Sequence, residues 1–144
     1  MGILADIFVA NDQDARLYEQ RLFGHEAIES PSYERVQYKN ITSLELGTLW
    51  ALLHGEDWNV KKHNFLHIGH DEEVGSCLDQ FPPELTRSLS ALEPKQVSDV
   101  SAAWAATEEL QWPASDAAEV INELVRLARL AVASGNSLYV WNCP

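Results

Sequence analysis

The apolar positions near the N-terminus form a short, almost unbroken block at residues 3–10, which ends at Asn11 and Asp12. A block of this length, closed by turn-forming residues, is typical of a buried β-strand. Asn11 can accept a bond from an early helical N–H, and Asp12 favours the positive end of a helix. The pattern therefore predicts a strand followed by a capped helix that runs to about Phe23.

The middle of the chain predicts a half-exposed strand and a well-marked helix. Residues 33–39 place tyrosine and valine among charged residues, as in a strand with one wet face. Thr42 and Glu45 form a capping box, and leucines and a tryptophan follow at helical spacing up to Gly55. Gly47 inside this helix costs roughly 1 kcal/mol relative to alanine, which indicates close packing against another backbone. Residues 56–80 show no regular pattern.

The last third of the chain predicts three helices and a closing strand. Pro83 and Pro94 each suit a first helical turn, where a fixed φ and a missing N–H are tolerated. The third helix is expected to be capped by Ser115 and to end at Gly135. Residues 138–141 then predict a strand that pairs with the N-terminal one.

The third of these helices has an unusually wide apolar stripe. Its polar residues occupy an arc of only about 120 degrees on a helical wheel, so the rest of the circumference is apolar. Such a stripe predicts burial on two sides, within the core or between the core and a second copy of the chain. The residues expected at the centre of the core are Ile121, Leu124, Val125, Leu127, Ala128, Leu130 and Val132.

Together these elements predict an α+β domain. About five helices are expected on one face of a small, mostly antiparallel sheet that includes the N- and C-terminal strands. The 144 residues suit one core and contain no linker, so residues 1–144 are predicted to form a single domain. Asp6 interrupts the first strand. We expect its carboxylate to point to the open face of the sheet, because a buried carboxylate would need a partner.

The charge of the chain is strongly negative, with 22 acidic residues against 10 basic ones and a formal net charge of -12. Direct binding to nucleic acid is not expected, since it requires clustered lysine and arginine. A solubilising surface explains the charge, and attraction to a basic partner is the alternative. Negative charge is densest at residues 71–93, with six acids and one base, and from residue 97 onward, with six acids and two bases.

The expected location is the cytoplasm. No apolar run reaches the roughly 20 residues of a membrane span, and the first ten residues lack the basic flank and cleavage site of a secretory signal. Cys77 and Cys143 belong to no C-x-x-C motif, so they are expected to be thiols in a reducing compartment.

The best chemical candidate is the histidine-rich segment at residues 63–73. In a helix, His63, His67, His70 and Asp71 would lie near one face and could bind zinc or another first-row divalent metal, the only cofactor that the pattern suggests. In a strand, His63 and His67 would lie about 13 Å apart, too far to hold one ion. Solvated loop histidines are the third alternative.

Two of the five tryptophans fall in predicted loops beside acidic residues. An amphipathic ring in such a place commonly edges a groove or an interface. The acidic residues 71–73, which follow the histidines, carry the negative charge that would attract a basic partner. The predicted binding residues are Trp58, Trp112, Asp71, Glu72 and Glu73.

No motif indicates a particular enzymatic activity. The sequence contains no phosphate-binding loop, no nucleophile elbow, no zinc-protease helix and no dinucleotide-binding fingerprint. The leading hypothesis is a non-enzymatic protein that binds another, basic protein through an acidic and aromatic surface. An immunity or inhibitor-like protein is one version, since a negative field would speed association with a basic toxin. The alternative is a metal-dependent or small-ligand-binding enzyme that uses residues 63–71, and a homodimer is a third hypothesis.

Three segments resemble the YfbM-like group of small bacterial proteins, namely residues 44–54, 81–85 and 124–141. The similar features are a helix with Trp and Leu-His that ends in Gly, a proline-led helix, and a long helix with Ala-x-x-x-Gly before a terminal strand. The chain departs from the group at its N-terminus, where a capped helix directly follows the first strand. The group has no established activity, so the resemblance implies structural features and no function.

Overall fold

The computed structural model describes residues 2–18 and 34–144 of the chain. Strands and helices are interspersed across these residues, and the first and last elements are strands. We number each type in chain order. The elements are β1 (Leu4–Ala10), α1 (Asp12–Arg16), β2 (Arg35–Lys39), α2 (Ser43–Leu53), β3 (Leu66–Asp71), β4 (Ser76–Gln80), α3 (Pro83–Ser90), α4 (Pro94–Ala105), α5 (Ala114–Ser134) and β5 (Ser137–Cys143).

The strands of the described residues form one antiparallel sheet in the order β2-β1-β5-β4-β3. β1 and β5 lie side by side over their whole length, so the predicted pairing of the N- and C-terminal strands is confirmed. The α+β class is confirmed as well. The strand predicted at residues 33–39 is found as β2, and its predicted first residue lies outside the described part of the chain.

The two faces of the sheet carry separate apolar clusters, because successive side chains of a strand point to opposite sides. Ala5 and Ile7 of β1 join the main core, which they share with α2, α3, α4 and α5. Phe8 and Ala10 point the other way and form a smaller cluster with Ala15 of α1. The four longer helices therefore belong to the core on one face, as predicted, while the short α1 packs against the opposite face.

The long helix α5 is buried along one broad side only. Ile121, Leu124, Val125, Leu127 and Ala128 are buried as predicted. The predictions for two further residues are wrong, since the exposed fraction is 40% for Leu130 and 52% for Val132. Both residues lie in the last turns of α5, on sides that no described element covers fully. No described helix, α5 included, combines the length and apolar character needed to cross a membrane.

Four of the five predicted helix starts with side-chain or proline signals are found. Asn11 accepts from the backbone of Asp14, Thr42 caps α2 with a complete capping box, and Pro83 and Pro94 begin α3 and α4. The predicted Ser115 cap is wrong, because α5 already begins at Ala114 and the N-cap position belongs to the preceding proline, which makes no side-chain bond. The helix predicted to reach Phe23 ends at Arg16 as α1, and the rest of that prediction falls mainly on residues outside the described part.

The carboxylate of Asp6 points away from the four longer helices but is not open to solvent, since only 3% of the residue is exposed. It accepts hydrogen bonds from the Tyr18 hydroxyl at 2.7 Å and from Gln37 Nε2 at 3.0 Å, and Arg35 Nη1 donates to the same hydroxyl at 3.0 Å. Burial, followed by the hydrogen bond to Asp6, raises the pKa of Tyr18. The expectation of an open carboxylate is therefore wrong, because the side chain of Tyr18 covers this part of the sheet.

Gly47 allows the chain that leads into β3 to lie directly on α2. A Cβ built on Gly47 would lie 2.9 Å from the backbone oxygen of His63 and 3.2 Å from Nε1 of Trp58. The first distance is shorter than real Cβ atoms tolerate, and a backbone oxygen cannot rotate away as a side chain can. The predicted close approach of another backbone to this helix is confirmed.

Replacing Gly47 with alanine is expected to lower the free energy of unfolding by about 1 kcal/mol. Overpacking in a tight site costs about 1–3 kcal/mol, which outweighs the roughly 1 kcal/mol that alanine gains in helix propensity. Urea unfolding measures the effect, with Gly69→Ala as the control, since a Cβ on Gly69 meets nothing within 4 Å. A Gly47→Ala protein at least as stable as the wild type would contradict the close contact.

Candidate functional site

The histidine-rich segment, for which no regular element was predicted, contains a β-hairpin. β3 and β4 pair antiparallel, and residues 72–75 form the turn between them. Of the three alternatives for the segment, the strand is found at Leu66–Asp71, whereas His63 lies in the loop before it. Its register shifts between His67 and Gly69, which marks a β-bulge or similar irregularity at Ile68.

This irregularity decides which side chains meet. In a regular strand, residues three apart point to opposite faces, so His67 and His70 would be separated by the sheet. An extra residue in the strand restores both to one face, which is a common effect of bulges near functional sites. The register places His67 opposite Asp79 and His70 opposite Cys77 on β4.

His67, His70 and two carboxylates form a continuous polar chain along this hairpin. His67 Nδ1 lies 2.9 Å from Asp79 Oδ1, and His67 Nε2 lies 3.3 Å from His70 Nδ1. His70 Nε2 lies 3.7 Å from Glu72 Oε1. Because an ionised carboxylate only accepts, we assign a proton to His67 Nδ1, and His67 Nε2 then accepts from His70 Nδ1–H. Both imidazoles are 54% exposed.

His63 lies apart from this pair, in the loop between α2 and β3, and is buried. Its Nδ1 accepts from the Asn59 backbone at 2.9 Å, so its Nε2 carries the proton and faces Glu56 at 3.2 Å. The ring also packs edge-on against Trp50. Lys62 foremost, and then His63, lowers the pKa of Glu56. Both nitrogens of His63 are thus used within the fold.

The predicted metal group of His63, His67, His70 and Asp71 is not brought together as one cluster. Of the four, His67 and His70 are in contact, whereas Asp71 accepts from the backbone of Glu73 at 2.9 Å and so shapes the hairpin turn. Within residues 2–18 and 34–144, no three or more histidine, cysteine, aspartate or glutamate residues are placed to hold a metal ion.

A cleft of about 290 Å³ lies beside the hairpin. Ile68, Leu78 and Trp141 supply its apolar lining, and Arg16 and Asp71 are among its polar residues. Arg16 is already paired with Asp12 at 3.0 Å, so its charge is partly used. The cleft is near the lower end of the size of small-molecule sites, which are about 300–1,000 Å³.

The chain matches no protein-family model, no curated protein and no solved structure. The similarity to the YfbM-like group therefore stays a prediction. What the protein binds has to be inferred from the chemistry of its surface.

The two predicted binding tryptophans differ in their surroundings. Trp58 is exposed, and its Nε1 lies close to Gly47 on α2. Trp112 is half-buried against the main core in the connection between α4 and α5, where its backbone N–H donates to the Ala105 carbonyl. The preceding Gln111 has a positive φ of 49°, which turns the chain at this point. Trp112 is therefore held in a defined position at the surface.

Several acidic residues near Trp112 along the chain were not among the predicted binding residues. Residues 96–125 contain six acids and no lysine or arginine. This run without a basic residue is the sequence feature from which the acids near Trp112 could have been predicted. In the described part of the chain none of the four acids nearest to Trp112 in sequence forms an ion pair, and all four are exposed. We call the following set the acidic end: Glu108, Glu109, Trp112, Asp116 and Glu119.

Proposed function

We propose that this protein binds a basic protein through the acidic end. The observation that carries the proposal is the uncompensated charge there, since four exposed carboxylates surround the Trp112 position in sequence without a base between Lys95 and Arg126. Charge of one sign over a surface steers an oppositely charged partner and raises its association rate.

Several other exposed charges of the described chain are matched more closely. Arg16 pairs with Asp12, Lys62 pairs with Glu56, and Arg126 pairs with acids on both sides. The negative field is thereby reduced near those bases and left intact at the acidic end. A partner attracted by charge would be drawn to this end first.

Trp112, which lies between those acids in the sequence, adds an apolar contact. Tryptophan is enriched at protein interfaces and among the residues whose truncation costs most binding energy. Since the ring already packs on the core, little conformational freedom would be lost when a partner covers it. The carboxylates of the acidic end would attract a basic partner, and the ring of Trp112 would then contact it.

The turn of the β3–β4 hairpin is a second acidic surface and fits a basic partner less well. Asp71 accepts hydrogen bonds from its own turn, and Glu72 Oε1 lies 3.7 Å from His70 Nε2. The charge of this turn is therefore partly used within the hairpin. Under this proposal the protein is a non-enzymatic cytoplasmic binder, of which an immunity or inhibitor-like protein is one version.

The test compares two double charge reversals that change the formal net charge equally. Glu108→Lys with Glu109→Lys alters the acidic end, and Glu72→Lys with Glu73→Lys alters the hairpin turn. Wild-type and variant proteins serve as baits in the source cell extract, and any basic protein captured is purified and titrated at rising salt. We expect the acidic-end variant to weaken binding at least tenfold, the hairpin variant to weaken it far less, and wild-type affinity to fall with salt.

Equal losses for the two variants would show that only net charge matters and would contradict the acidic end as the site. Affinity that does not change with salt would contradict the basic partner. Trp112→Ala adds an independent measurement, because it removes the ring without changing the charge. Its unfolding curve is compared with that of the wild type, so that a loss of binding is not confused with a loss of folding.

A further inference from the structure

We propose that His67 and His70 form a chelating pair for a first-row divalent cation such as Zn²⁺, with Asp79 as the residue that orients His67. This site lies on the β3–β4 hairpin and does not depend on the acidic end or on the proposed function. Two imidazoles supply the protein ligands, and water completes the coordination.

The local backbone is the first support. Without the register shift at Ile68, His67 and His70 would point to opposite faces of the sheet. The shift also disrupts the ladder between β3 and β4, and its visible result is to bring two metal-ligating side chains together.

The spacing of the nitrogens is the second support. Two nitrogens bound to zinc at about 2.0–2.1 Å in tetrahedral geometry are about 3.4 Å apart. His67 Nε2 and His70 Nδ1 are 3.3 Å apart, in hydrogen-bond contact. Since both rings are half-exposed, they can turn their lone pairs toward one ion without disturbing the core.

The remaining nitrogens provide the third support. Metal-binding histidines usually donate their other N–H to a carboxylate or carbonyl, which fixes the ring and strengthens the ligand. His67 Nδ1 already faces Asp79 at 2.9 Å. When a metal binds His70 Nδ1, the proton of that ring moves to Nε2, which lies 3.7 Å from Glu72, beyond hydrogen-bond distance. Of the two ligands, His67 is therefore the one that a carboxylate holds in place.

The charge around the hairpin also favours a cation. Residues 63–86 contain five acids and no lysine or arginine. Arg16 lines the cleft beside the hairpin, but its charge is paired with Asp12. Imidazole ligands select zinc, cobalt, nickel or copper over magnesium and calcium, which prefer oxygen. We therefore expect Zn²⁺ to bind and Mg²⁺ not to bind.

Calorimetric titration of the full chain, without a histidine tag, tests the pair with Zn²⁺ as the probe. We expect one ion per chain, with at least a tenfold loss of affinity in His67→Ala and in His70→Ala. Asp79→Asn should weaken binding by about 10- to 100-fold, as loss of such supporting carboxylates does in other sites. His54→Ala is the matched control and should leave the affinity unchanged, because its Nε2 faces Ser88 away from the pair.

Nitrogen-15 spectra of the imidazoles give an independent readout. Zn²⁺ is expected to shift His67 Nε2 and His70 Nδ1, and a shift at His67 Nδ1 instead would overturn the role given to Asp79. Unchanged affinity in His67→Ala or His70→Ala, or an equal loss in His54→Ala, would overturn the site as adventitious surface binding. Thermal unfolding of each variant checks that the substitution leaves the fold intact.

Discussion

Replacing Asp6 with alanine is expected to lower the free energy of unfolding by about 3 kcal/mol, one of the two largest effects that we predict. A buried polar group that loses its partner costs about 1–3 kcal/mol, and more if the group is charged. Asp6 is the acceptor for both Tyr18 and Gln37, and Arg35 joins the same group through the tyrosine hydroxyl. The substitution leaves the tyrosine hydroxyl and the glutamine amide without this acceptor.

Equilibrium unfolding in urea measures this effect, and Asp12→Ala is the matched control. Asp12 pairs directly with Arg16, but both side chains are largely exposed, so its loss should cost less than about 1 kcal/mol. Tyr18→Phe tests the network from the other side and should cost about 2 kcal/mol. Similar losses for Asp6→Ala and Asp12→Ala would show that the buried carboxylate contributes no more than a surface pair.

The regular elements of this fold other than β3 and β4 could be predicted because each carries a local signal. The apolar block of β1, the capping box of α2 and the glycine that ends α5 all act within a few residues of the chain. Gly135 adopts the left-handed conformation that a helix end commonly requires. Such signals depend only on neighbouring residues in the sequence, so they do not change with the tertiary packing around the element.

The β3–β4 hairpin could not be predicted because its signal is broken at the centre. A strand is recognised by alternation, and the register shift beside His67 interrupts the period of two. The histidines could be named as candidates from their chemistry. Asp79 could not, since it comes near His67 only through a cross-strand register that the sequence does not display.

The burial of a side chain depends on how far the elements packed on it extend. A sequence pattern does not show where those elements end in space. The wide apolar stripe of α5 indicated burial on two sides, yet Leu130 and Val132 remain exposed. Likewise, nothing near Asp6 in sequence shows that Tyr18, twelve residues later, covers it. Both errors concern contacts between elements, whereas the elements themselves were predicted.

The second large effect concerns α5, where Leu127→Ala is expected to lower the free energy of unfolding by about 3 kcal/mol. Leu127 is completely buried in the main core, and such truncations cost about 2–5 kcal/mol because a cavity remains. Leu130→Ala is the matched control. It makes the same change one turn further along the same helix, so the change in helix propensity cancels and the difference reports burial alone.

We expect Leu130→Ala to cost less than about 1 kcal/mol, since 40% of that residue is exposed in the isolated chain. Measuring both variants at several protein concentrations also addresses the homodimer hypothesis. If a second copy covered Leu130, its truncation would lower stability in a concentration-dependent manner, because association stabilises the folded state by mass action. A small, concentration-independent loss would instead show that α5 is stabilised by its own chain, with Leu127 on the buried side and Leu130 at the solvent edge.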